Sequence, residues 1–125
     1  MSLRALVLHY GYDELLSEAR VAVLEDAGYD VVCADSPAAV LRALRARRVR
    51  LVIACHSIPA EELESVVYQM RQYKPKVPIL VVHVGGLINP QRAMADACVD
   101  GLRGPQHLLS QVASWAGRST RVAAG

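Results

Sequence analysis

The chain has 125 residues, 53% of them hydrophobic, enough to bury one compact core with little room for a second domain. Its 14 basic and 12 acidic residues leave a net charge of +2, which excludes the strong field expected of an obligate nucleic-acid or acidic-membrane partner. Cys33, Cys55 and Cys98 show no CxxC spacing, the N-terminal apolar run is too short for a secretion signal, and no apolar stretch reaches the ~20 residues of a membrane span. A reducing cytoplasm is the expected compartment.

Leu3–Leu8, rich in Leu and Val, predicts a buried strand. From Asp13 to Ala27 the apolar positions Leu16, Ala19, Val23 and Ala27 recur at helical spacing, with Asp13 as N-cap and Gly28 as the stop. Asp30–Ala34 predicts a second strand, and Ser36-Pro37 opens a helix running to about Arg47 with Val40, Leu41 and Leu44 inward. Leu51–Cys55 is the most continuously apolar strand. Ser57–Pro59 starts a third helix carrying Leu63, Val66, Val67 and Met70, which ends before Pro75. Val77–Val82 predicts a fourth strand, Asn89-Pro90 a short helix, Val99–Leu102 a weak fifth strand, and Gln106–Ala116 the last helix. Residues 1–116 are thus expected to form the domain and 117–125 a flexible C-terminal tail.

Such alternation implies an α/β fold: a doubly wound, five-stranded parallel sheet between two helical layers, a three-layer sandwich. The number of units fits the flavodoxin-like strand order 2-1-3-4-5, whose ligand site lies at the carboxyl ends of the strands.

The order of local signals narrows that frame. Leu24, Gly28-Tyr29-Asp30-Val31, Ala34 and Val40-Leu41, then LVIACHSIP at 51–59, VPILVVHV at 77–84 and DGLRGP at 100–105, together resemble the receiver (CheY-like) domains of bacterial response regulators. The resemblance runs from about Arg4 to Trp115 and implies a two-component signalling domain. It also implies an acidic Mg²⁺-binding pair ending strand 1, a phosphoacceptor aspartate ending strand 3, a threonine ending strand 4, an aromatic switch residue and a lysine before a cis-proline. At those positions stand His9 and Tyr10, Cys55, His83, Gly101, Gly104 and Pro105. A thiol forms no acyl phosphate, and the hard Mg²⁺ ion wants oxygen ligands. The resemblance therefore implies a degenerate, pseudo-receiver member. Asp13 either caps its helix or supplies a displaced acid.

By the same resemblance His9, Cys55 and His83 end three neighbouring strands, with His56 one residue beyond. Three readings stand open. The rim is static and hydrogen-bonded; or His9, Cys55 and His83 hold a transition metal such as zinc or copper, which suits imidazole and thiolate; or Cys55 is a redox-active thiol. Cys33 and Cys98 read as structural.

Neither GxGxxG, GxxxxGK[ST] nor a nucleophile elbow occurs, and CHSIPAE lacks the arginine of a cysteine-phosphatase loop. No enzyme is expected, and no resident cofactor. Arg42, Arg45, Arg47, Arg48 and Arg50 read as a solvated helix end favoured by the dipole. Leu108, Val112 and Trp115 read as core, although in receivers the last helix commonly meets partners, which implies a homodimer or an effector there. The expected function is phosphorylation-independent protein–protein signalling in the cytoplasm, without nucleic acid or membrane. The alternative is a metal-binding or thiol redox sensor.

Overall fold

The computed structural model describes residues 4–84 and 95–116. Its elements are β1 (Leu6–Tyr10), α1 (Glu14–Asp26), β2 (Asp30–Ala34), α2 (Pro37–Ala46), β3 (Val49–Cys55), α3 (Ala60–Tyr73), β4 (Ile79–His83), β5 (Ala97–Asp100), a 3-10 turn (Gly101–Arg103) and α4 (Pro105–Ala116). The strands pair in parallel in the order β2-β1-β3-β4-β5, the expected doubly wound, flavodoxin-like arrangement. The helix expected at Asn89-Pro90 and the tail 117–125 lie outside the described residues.

Local chemistry sets the helix ends. Asp13 Oδ1 accepts from the Leu16 amide at 3.1 Å and Ser36 Oγ from the Ala39 amide at 3.1 Å, each satisfying a first-turn donor. Pro37 follows at a position where its missing N–H is no loss. Gly28, at φ 102°, turns the chain out of α1 in a conformation that would strain other residues. Asp13 is thus a cap.

Alternation along the strands divides the core into two faces. Leu6, Leu8, Tyr10, Val52, Ala54, Ile79 and Val81 pack under α2 and α3. Val7, Leu51, Ile53, Leu80, Val82 and Val99 pack under α1 and α4. Because β1 pairs on both sides, all five of its residues are buried, and it runs to Tyr10 rather than ending at Leu8. The fifth strand lies earlier than expected and carries Cys98; Asp100 ends it by accepting from the Leu102 amide at 2.9 Å. Pro105 is not the expected cis-proline: no cis peptide bond occurs among the described residues, and it opens α4 directly after Gly104 at φ 91°.

α1 packs less closely than its apolar spacing suggested. Leu24 is fully buried; Leu16, Val23 and Ala27 are half-buried and Ala19 is exposed. A cleft lies between the helix and α4. Trp115, expected in the core, is 40% exposed, while Leu108 and Val112 are buried as expected. The five arginines at 42–50 are exposed.

Leu24 is 0% exposed and Leu15 on the same helix is 80% exposed. Leu24→Ala should therefore cost about 2–5 kcal/mol in urea unfolding, against roughly 0.5 kcal/mol or less for Leu15→Ala. Equal losses would show that α1 is not anchored through Leu24.

Candidate functional site

At the carboxyl ends of the strands, parallel register decides which side chains meet. His9 pairs with Ile53, so Cys55 lies one pleat further along β3 on the same face, toward α1 and α4. His9 Nε2 approaches Cys55 Sγ at 3.1 Å, and both residues are buried, at 1% and 2% exposure. Gly11 permits this closure, because a Cβ there would stand 3.0 Å from Cys55 Cβ. Ser57 Oγ accepts from the Tyr12 amide at 2.9 Å and ties the β1–α1 loop to the start of the β3–α3 loop.

A third member reaches in from α1. Arg20 Nη1 donates to Cys55 Sγ at 3.0 Å, and Nη2 faces Gly101, where an added Cβ would stand 3.3 Å away. Sequence reasoning missed Arg20. The signal was present, since Arg20 lies one turn from Leu16 and Val23 on the stripe assigned to the core, where a charge requires a partner.

The three groups carry one fixed positive charge. Burial, assisted by the Arg20 cation, lowers the His9 pKa to about 4. Burial raises the Cys55 thiol to about 11, with Arg20 opposing. At neutral pH the imidazole and thiol are therefore uncharged beneath a guanidinium. His9 Nδ1 is buried without a hydrogen-bond partner.

The remaining candidates are not brought together. Tyr10 is buried on the opposite face, where its hydroxyl and that of Tyr12 both donate to the Glu62 carboxylate of α3. Burial, then the Glu62 contact, pushes the Tyr10 hydroxyl's pKa upward. His83 pairs with Asp100 in register, and alternation sets it with Ile79 and Val81 rather than with Val82. Among the described residues no three His, Cys, Asp or Glu side chains form a group able to hold a metal ion, so the His9, Cys55 and His83 ligand set of the metal reading is not formed. Gly101 lines the α1–α4 cleft and Gly104 forms the turn into α4. His56 is exposed, and Cys33 is an exposed thiol on the β2 edge.

Magnesium does not fit this donor set either. An imidazole, a thiol and a guanidinium offer no carboxylate oxygen to a hard cation, and the guanidinium repels one. The nearby carboxylate of Asp13 accepts the Leu16 amide.

Stability should fall on both sides of neutrality. Between pH 6.5 and about 4 the unfolded chain takes up a proton at His9 that the folded chain refuses, so acidification through that window removes on the order of 3 kcal/mol. Between pH 9.0 and about 11 the folded chain retains the Cys55 proton that the unfolded chain releases, so stability declines as pH rises. Urea midpoints across this range should show a shallower acid arm for His9→Leu and a shallower alkaline arm for Cys55→Ser. Unchanged arms in both variants would show that neither group is held neutral.

No protein-family model matches the chain, and no curated protein matches it in sequence. Solved structures do match. A protein of Chloroflexus aurantiacus assigned as a response regulator superposes with a TM-score of 0.81 at 23% identity, over 92% of this chain and 99% of that one. The receiver domain of a sensor histidine kinase from Pseudomonas aeruginosa, which holds magnesium in its active-site cleft, gives 0.79 at 16% identity, over 91% and 98%. A CheY-like receiver domain of Methanospirillum hungatei gives 0.76 at 18% identity, over 90% and 94%. The chain therefore has the fold of response-regulator receiver (CheY-like) domains.

Proposed function

We propose that the chain is an atypical receiver-like module of two-component signalling that acts through protein contacts and accepts no phosphoryl group. The observation that carries this reading is the Arg20–Cys55–His9 cluster at the end of β3. It stands where a receiver presents its acceptor carboxylate and metal ligands. Phosphoryl transfer to a receiver needs a carboxylate nucleophile and a metal ion held by oxygen ligands; a neutral thiol, an imidazole and a guanidinium provide neither, and the Arg20 cation alone does not replace them.

The exposed face of α4 is the contact surface in this reading. Trp115 stands out there at 40% exposure, with Leu102 exposed on the preceding 3-10 turn, and large amphipathic side chains of this type anchor protein interfaces. A second copy or an effector seats on it, in the cytoplasm, without catalysis, nucleic acid or membrane. No helix among the described residues is long and apolar enough to cross a membrane. Burial and a raised pKa weigh against Cys55 as an oxidant sensor, because the reactive thiol species is an accessible thiolate.

Incubation with Mg²⁺ and acetyl phosphate should leave the intact mass unchanged, and Cys55→Asp should remain unlabelled because His9, Tyr10 and Arg20 still provide no metal site. A Mg²⁺-dependent, hydroxylamine-labile adduct on the wild-type chain would overturn the reading.

A further inference from the structure

We propose that the cleft between α1 and α4 binds a small apolar carboxylic acid through the guanidinium of Arg20. The cleft offers ≈ 300 Å³ and is open to solvent on one side; that volume, at the lower end of the roughly 300–1,000 Å³ typical of ligand pockets, suits a small molecule. Leu16, Val23, Val82, Val99 and Leu108 form apolar walls, and among the described residues Arg20 is the one charged residue in the lining. A slot with apolar walls and a single cation is complementary to a monoanion with an apolar body.

The state of Arg20 points the same way. A guanidinium has five N–H donors and stays charged, whereas sulfur is a weak acceptor. Nη1 is on Cys55 Sγ, and Nη2 faces the Gly101 side of the cleft. Among the described residues no carboxylate lies within ion-pair distance of Arg20, and its two polar neighbours, His9 and Cys55, are neutral at pH 7. A half-buried cation without a counter-ion is unfavourable, and a carboxylate restores charge balance with paired hydrogen bonds. A dianionic phosphate would leave one charge uncompensated between apolar walls.

Gly101 keeps the slot open. A Cβ there would stand 3.2 Å from Val82 Cγ1 and 3.3 Å from Arg20 Nη2, so even a methyl group crowds the anion position. An occupant would bridge α1 and α4 and tie the cleft to the helix that carries Trp115. Its role as an input signal in place of phosphorylation rests on the function proposed above; the binding site itself does not.

The test is titration of the full-length chain with phenylacetate and with hexanoate, read by calorimetry and by amide shifts of Gly101 and Gly104. Phenylacetamide and inorganic phosphate serve as comparison probes. At least one acid should bind saturably with Kd of about 1 mM or tighter, and both comparison probes roughly tenfold more weakly or not at all. Arg20→Gln and Gly101→Ala, each checked for native circular dichroism, should each weaken the acid by roughly tenfold; Gly101→Ala retains the cation, so it tests the slot if Arg20→Gln fails to fold. The proposal is overturned if neither acid saturates, if phenylacetamide or phosphate binds as tightly, or if a folded variant binds like wild type. Labelling by acetyl phosphate together with acid binding would remove the phosphorylation-independent reading and leave this site standing.

Discussion

The parallel register of β1 against β3 sets His9 beside Ile53 and carries Cys55 one pleat beyond it on the same face. The rest of the site depends on that offset. Because side chains alternate along each strand, it commits His9 and Cys55 to the layer beneath α1 and α4, and Tyr10 to the layer beneath α2 and α3. A slip of one residue would exchange the two sets and bring Tyr10, not His9, toward Cys55.

Burial then determines the electrostatics. An imidazole and a thiol lie buried at the end of β3, and desolvation holds both uncharged. The remaining charge comes from α1, where Arg20 is long enough to reach the sulfur while its stem lies along the apolar cleft. The fold alone does not set the chemistry of this site, which follows from the side chains at the strand ends.

The cleft beside α1 is part of the same arrangement. Arg20 lies on the sheet-facing side of α1, and glycine at 101 opposite adds no bulk to the cleft between them. Leu24 anchors the C-terminal part of the helix, while Leu16 and Val23 remain half-buried along the cleft. On the other face the Tyr10–Glu62–Tyr12 cluster ties α3 to the end of β1 and withdraws a tyrosine from the rim.

The sequence by itself determined the alternation of strands and helices, the caps at Asp13 and Ser36 and the stop at Gly28, because these depend on residues within a few positions of one another. Its resemblance to receivers set His9, Cys55 and His83 at the ends of neighbouring strands, of which the structure brings His9 and Cys55 together. Only the tertiary structure decided that His83 and Tyr10 face away from them, that Trp115 is exposed and that Arg20 completes the cluster. Those outcomes depend on inter-strand register and on how closely a helix approaches the sheet, both set by contacts between residues far apart in the chain, which no local periodicity encodes.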